Sequence, residues 1–313
     1  MVHALTAAPP GAIDQPFAPD ATDAYRRWRD RKLADYPRRV EDLMVQVRDP
    51  RNLRANEADK IRRLCRTANM ALYASPLAGV ADKDIARRVG EHLGLARPVA
   101  NPLADEDGIS SLRVVPGKSA RGYIPYSNQR LRWHTDGYYN APAQRISAFI
   151  LHCVQPAAAG GYNCLLDHEI AYILLRDADP AYVRALCAPD AMTVPANAGE
   201  GAEIRPAQTG PVFSADAADG SLHMRYTSRT RSIEWRQDEA TRQAVEFLSR
   251  ILAGDSPYVF RHRLAGGQGL VCNNVLHNRS AFTDDRCAVV DDPASGLNRL
   301  VYRARYSDRV GIA

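Results

Sequence analysis

The chain has no uninterrupted apolar run of roughly 18 residues, the minimum for a membrane-spanning helix, so no membrane role is expected. Its start has neither a basic cluster nor an apolar core and does not read as a secretory signal. Lysine is scarce: Lys32, Lys60, Lys83 and Lys118 are the only ones, and nearly all positive charge is arginine. A net charge of +5 over 313 residues, with no basic stripe or recognition motif, argues against a nucleic-acid partner. Cysteine pairs at metal or redox spacing are also missing. The six cysteines, Cys65, Cys153, Cys164, Cys187, Cys272 and Cys287, are scattered, and several lie in apolar runs. They read as buried free thiols of a reducing compartment, which points to the cytoplasm. Repeats, low-complexity blocks and any linker that would divide the folded part are absent as well.

What is present is an ordinary globular composition, 45% hydrophobic and 25% charged, in a chain long enough for a sizeable core. Residues 1–21, rich in Ala and Pro, read as a flexible arm. Apolar residues at helical spacing predict a helix from Asp23 to about Val47, which Pro37 should break or kink. A second is predicted from Asn56 to about Tyr73, and a third from Asp84 to Leu93, with Asp82 as N-cap and Gly94 ending it. From about residue 110 short strand-like runs take over. They include 111–115, 123–126, 145–154, 192–194, 212–214, 222–227, 258–261, 269–276 and 299–306. Helices are predicted at 168–176, 180–186 and 239–252, and Asp219-Gly220 signals a hairpin. The expected fold is mainly β with added helices: a two-sheet jelly roll, or double-stranded β-helix, over 110–308 with a helical N-terminal elaboration over 22–100. Residues 22–313 would form a single domain.

The chemistry gathers at Trp133-His134-Thr135-Asp136-Gly137. Residues two apart on a strand point to the same face, so His134 and Asp136 can reach one metal ion. His277, at the end of an apolar run, offers a third donor, and Arg299 and Arg303 follow at strand spacing. Two histidines and one carboxylate on one side of an ion leave the opposite positions open, as in non-haem Fe(II) oxygenases. A lone histidine is more often an imidazole bonded to backbone, and His152, His168, His223 and His262 keep that reading. A zinc hydrolase uses similar ligands, but no water-activating carboxylate accompanies them here.

Four blocks in order carry a family resemblance: Trp133–Gly137, Ala159-Gly160-Gly161-Tyr162-Asn163, Leu276-His277-Asn278-Arg279-Ser280-Ala281-Phe282, and Arg299-Leu300-Val301-Tyr302-Arg303. With them the chain resembles the taurine dioxygenase/TfdA family of Fe(II)- and 2-oxoglutarate-dependent oxygenases, within the clavaminate-synthase-like group. The resemblance implies His134, Asp136 and His277 as iron ligands. It implies Arg299 as the cation for the far carboxylate of 2-oxoglutarate, a two-pronged match for a guanidinium. Arg303 would be a second anion contact or a substrate contact. Asn163 stands where many relatives have a threonine that bonds the cosubstrate, and its amide can donate a similar bond. Asp136 argues against halogenating relatives, which leave this position vacant.

The implied reaction consumes O2 and 2-oxoglutarate, releases succinate and CO2, and hydroxylates a C–H bond of a small molecule. The same site also serves desaturation, cyclisation or C–heteroatom cleavage, and a sensory module that binds without turnover is the alternative of another class. Substrate contacts are read at Tyr126, Asn128, Tyr138, Tyr139, Arg225 and Arg303, each against a plain packing or surface role. Local arginine favours an acidic or zwitterionic substrate. The polar insert 286–298 reads either as a lid or as a surface loop. Relatives often assemble through helices outside the barrel, so the resemblance leaves room for a homo-oligomer.

Overall fold

The structure, a computed structural model, describes residues 15–99, 108–115, 124–199, 202–229, 233–284 and 298–311. Ten strands build its two main sheets. They are β1 (Met44–Gln46), β2 (Met70–Ala74), β3 (Ser110–Leu112), β4 (Leu131–His134), β5 (Ala148–Gln155), β6 (Asn163–Leu166), β7 (Phe260–His262), β8 (Gln268–Cys272), β9 (Leu276–Arg279) and β10 (Leu300–Tyr306). The six-stranded sheet has the order β1-β2-β8-β5-β10-β3, and the four-stranded sheet the order β7-β6-β9-β4. The molecule is thus mainly β with several helices.

The six-stranded sheet is a wall between two cores, because side chains alternate across it. On β5, Phe149, Leu151 and Cys153 join the core shared with the four-stranded sheet, whereas Ala148, Ile150 and Val154 join a second core behind. Strand β2 divides likewise, Met70 and Leu72 against Ala71 and Tyr73. The helices Ala55–Ala68 and Asp84–His92 cover the rear core with Ile61, Cys65, Ile85 and Val89. A strand buried on both faces needs an almost continuous apolar run, which is why β5 reads Ala-Phe-Ile-Leu-His-Cys-Val.

The N-terminal region departs from the predicted helices in two places. The first helix, Thr22–Ala34, stops ahead of Pro37, and a single 3-10 turn at Val40–Leu43 leads into β1, where helix was expected to continue. The second ends at Ala68, because Asn69 takes a left-handed φ of 55°, and Met70–Ala74 becomes a strand. Local periodicity favoured helix there; pairing with β1 and β8 at the sheet prevailed. Ile124–Tyr126, expected as strand, is a 3-10 turn. The helices His168–Ala178, Pro180–Leu186 and Glu239–Ala253 lie where the sequence placed them. So does the hairpin, which pairs Phe213–Ala215 with Leu222–Met224.

Candidate metal centre and the Arg299 cavity

Antiparallel pairing of β9 with β4 sets His277 directly opposite His134, with ring centroids 4.2 Å apart. Phe149, from the inner face of the six-stranded sheet, closes against His277 at 4.7 Å. Asp136 arrives differently from the shared strand face that its spacing suggested. Strand β4 ends at His134, and the chain turns: the Thr135 N–H donates to Tyr226 O at 3.0 Å. Gly137 allows this turn with φ +69°, and a Cβ there would lie 2.8 Å from Ile146 Cδ1. Asn274, itself at φ 50°, fixes the Asp136 backbone from both sides. Its Oδ1 accepts from the Asp136 N–H at 2.8 Å, and its Nδ2 donates to Asp136 O at 2.9 Å and Ile146 O at 2.7 Å.

The donor atoms of His134, Asp136 and His277 all lie within 4.8 Å of one another, and all three residues are buried. His134 Nδ1 is bonded to Arg132 O at 2.8 Å and His277 Nδ1 to Val275 O at 2.9 Å. A carbonyl can only accept, so each Nδ1 carries a proton, and a neutral ring held this way presents its Nε2 lone pair. Those Nε2 atoms face Asp136 Oδ1 at 3.5 Å and 3.9 Å. Burial, with the neighbouring His134, pushes the His277 imidazolium down to about 3, so the ring is neutral. Burial also works against the Asp136 charge, but the Arg303 and Arg305 guanidiniums outweigh it and hold the carboxyl well below the usual range. Neutral imidazoles and an ionised carboxylate are the states a divalent cation requires, and the set fits Fe(II). Tying each distal ring nitrogen to backbone is how metal-binding imidazoles are oriented.

Arg303 and Arg305 alternate with Tyr302 and Ala304 on β10 and point to the site side. Arg303 Nη1 lies 3.1 Å from Asp136 Oδ2, and Arg305 Nε lies 2.8 Å from the same oxygen. The sequence reading had Arg303 as an anion or substrate contact; in the structure its nearest anion is Asp136. Arg305 was missed altogether. Its signal was available, since it sits two residues beyond Arg303 on the same strand.

Arg299 precedes β10, where the register shifts between Leu300 and Val301. It lines a cavity with Asn163, Gly161, Cys153, Leu264 and Val301. Its Nη1 donates to Leu112 O at 3.3 Å, and its guanidinium stands over the Phe282 ring at 5.1 Å. Arg279 stands over the same ring at 4.8 Å, while its Nη2 donates to Ser127 O and Gln129 O, both at 2.7 Å. Burial, then the like charge of Arg299, pull the Arg279 guanidinium down to about 9. Among the described residues neither arginine has a carboxylate within ion-pair reach of its guanidinium. Asn163 faces the cavity, and its Nδ2 donates to Asn278 O at 2.9 Å, tying β6 to β9.

The remaining predicted contacts divide. Tyr126 and Tyr139 lie close enough to Arg303 to act on its charge, and Tyr139 also lies close enough to act on Arg305. Tyr138 packs edge-on against Tyr139 at 5.1 Å. Asn128 is exposed, and its carbonyl accepts from the Phe282 N–H at 3.1 Å. Arg225 is not brought to the cluster: its guanidinium donates to the carbonyls of Met192, Gln208 and Gly210, bracing another sheet. Residues 286–297 of the insert lie outside the described residues. Of the other histidines, His152 has Tyr73 as partner, His168 has Leu222 O and His262 has Gln268.

Comparison with known proteins adds four findings. The family model described as "Taurine catabolism dioxygenase TauD, TfdA family" matches residues 30–290. A uridine-5'-phosphate dioxygenase from Streptomyces sp is 26% identical over 240 residues, covering 72% of this chain and 84% of that protein. Among solved structures, asparagine oxygenase in complex with Fe(II), 2S,3S-3-hydroxyasparagine and succinate superposes with a TM-score of 0.54 at 15% identity, covering 86% of this chain and 94% of that one. The non-heme iron oxygenase OrfP in complex with Fe and alpha-ketoglutaric acid gives 0.54 at 16% identity, covering 82% and 81%. These structural likenesses concern the fold.

Proposed function

The chain belongs to the TauD/TfdA family and is a 2-oxoglutarate-dependent non-haem iron oxygenase, and from that premise we propose that it hydroxylates a C–H bond of a small anionic or zwitterionic molecule. The observation that carries the reading is the convergence of two backbone-tied imidazoles and one carboxylate within 4.8 Å. When bound, Fe(II) supplies the oxidative decarboxylation of 2-oxoglutarate to succinate and CO2 and the delivery of one oxygen atom to substrate.

The protein's own residues do the rest. His134, Asp136 and His277 hold the metal. Arg299 grips the far carboxylate of 2-oxoglutarate in the cavity it shares with Asn163, and Phe282 packs against that guanidinium. Asn163 keeps a second amide hydrogen for the cosubstrate while its first ties down Asn278. Tyr126, Tyr138, Tyr139 and Arg303 form the substrate side, and two guanidiniums against the single Asp136 carboxylate leave positive charge there that supports an anionic substrate. We read the two main sheets as the halves of a jelly roll and residues 22–313 as one oxygenase domain. The cysteines of the described residues are free thiols, which supports a reducing compartment such as the cytoplasm.

Anaerobic titration of the Fe(II)-loaded protein with 2-oxoglutarate tests the site, and a visible charge-transfer band is the expected result. Succinate release is then screened over a panel that includes asparagine, arginine and uridine 5'-phosphate. Product mass separates the outcomes: a gain of one oxygen is hydroxylation, a loss of two hydrogens is desaturation, and two fragments mean cleavage. A protein that binds Fe(II) and 2-oxoglutarate yet releases no succinate with any metabolite pool would instead be the binding module.

A further inference from the structure

We propose that Arg305 is a positioning residue: it makes Asp136 a one-oxygen ligand and so keeps a coordination position of the metal open. The inference rests on the metal-site reading above. A carboxylate can bind a cation through one oxygen or both. With three protein donors and a two-pronged 2-oxoglutarate, a six-coordinate metal has one position left. A second oxygen from Asp136 would fill it.

The two oxygens of Asp136 are placed differently. Oδ1 faces the imidazoles, 3.5 Å from His134 Nε2 and 3.9 Å from His277 Nε2. Oδ2 is turned to β10 and receives Arg305 Nε at 2.8 Å. Arg303 does not discriminate in the same way, since its Nη1 lies 3.1 Å from Oδ2 and 3.4 Å from Oδ1. Rotation of the carboxylate is the freedom that matters, because Asn274 already holds the Asp136 backbone at both N–H and carbonyl. Arg305 is itself held. It lies opposite Phe149 in the β10–β5 pairing, is 9% exposed, and feels Tyr139, which comes from the same turn as Asp136. Chelation by both oxygens would strip this buried guanidinium of its acceptor where water cannot replace it.

The test uses the full chain, prepared metal-free and reloaded with Fe(II) anaerobically, in wild-type, R305M, R305K and Y139F forms. Nitric oxide serves as a probe of the open position, read by electron paramagnetic resonance of the Fe(II)–2-oxoglutarate complex. R305M should still give the charge-transfer band but bind nitric oxide about tenfold more weakly, the usual scale for a residue supporting a ligand. R305K, which keeps one donor, should recover most of the loss. Nitric oxide affinity in folded R305M equal to wild type overturns the proposal. If R305M does not fold, Y139F carries the test, with a loss of about threefold expected and no change overturning it. A wild-type chain that fails to bind Fe(II) overturns the metal reading and this proposal together. A wild type that binds Fe(II), 2-oxoglutarate and nitric oxide, with variants that do so equally, overturns this proposal alone.

Discussion

Replacing Arg299 by methionine should separate cosubstrate binding from stability. Arg299 is 6% exposed, and burial draws its guanidinium below the ordinary arginine value. Among the described residues the return for that burial is small: a carbonyl bond to Leu112 O at 3.3 Å, the Phe282 ring at 5.1 Å and the nearby charge of Asp284. A bond of that kind contributes about 1 kcal/mol, and desolvating the charge costs at least as much. Methionine packs on the same ring, so the metal-free R299M protein should melt within about 4 °C of wild type, the shift expected for about 1 kcal/mol in a chain of this size. Binding of 2-oxoglutarate should behave very differently. Losing the partner of a buried, hydrogen-bonded carboxylate costs about 3–4 kcal/mol. At about 1.4 kcal/mol per tenfold, that raises the dissociation constant roughly 140- to 700-fold. R299K, with the charge but not the fork, should fall between, near tenfold. The assay is the anaerobic charge-transfer titration, with thermal melting of the same samples. A dissociation constant for R299M within threefold of wild type would refute the assignment, whatever the melting temperature.

His277→Gln should abolish the charge-transfer band while the chain stays folded, as circular dichroism will show; an unchanged Fe(II) affinity would remove His277 from the ligand set. Asn274→Ala deletes three hydrogen bonds around Asp136, and should cost about 3 kcal/mol in urea unfolding and about tenfold in Fe(II) affinity. Lys32→Met leaves Asp167 and Glu169, now 2.7 Å and 2.6 Å from the buried ammonium, without a cation, at a cost of about 3–5 kcal/mol near pH 8. Burial already raises Asp167 from 3.8 to about 6 despite Lys32, so the folded state takes up a proton the unfolded chain does not. The Lys32→Met penalty should therefore shrink as pH falls from 8 through 6, and melting curves in which it grows on acidification would contradict this. Gly160→Ala forces a side chain at φ +75° against the Ala281 carbonyl, and should lose roughly 1–3 kcal/mol with weaker 2-oxoglutarate binding; wild-type stability would show that the loop relaxes.

The readable parts of the sequence were those with strong local or ordered signals. His134, Asp136 and His277, which the fold brings together, could be picked out because their spacing and order carry chemistry, Arg299 was offered by the family resemblance, and β5 was legible because its apolar run matches a doubly buried strand. Strands β1 and β2 were not legible. Met44–Gln46 and Met70–Ala74 continue helical patterns, and only their partners in the sheet make them strands. The convergence of His134 and Asp136 was anticipated for the wrong reason, since the carboxylate comes from a turn held by Asn274 rather than from a strand face. Asn274 and Arg305 were invisible for a related cause. Each acts on Asp136 across more than a hundred residues, and neither residue type signals such a task alone. Arg225 misled in the opposite direction, as arginine serves equally well as a strut between carbonyls.

Strand β10 carries two interleaved sets of instructions. Val301, Arg303 and Arg305 address the chemistry, while Tyr302, Ala304 and Tyr306 address the helices behind. A slip of one residue would exchange the sets, sending two guanidiniums into an apolar core and aromatic rings toward the metal. Point substitutions on this strand are therefore tolerable in a way that single-residue insertions and deletions are not. Among the described elements the strand is a frame-sensitive segment, and variation in length during divergence belongs to the connections around it.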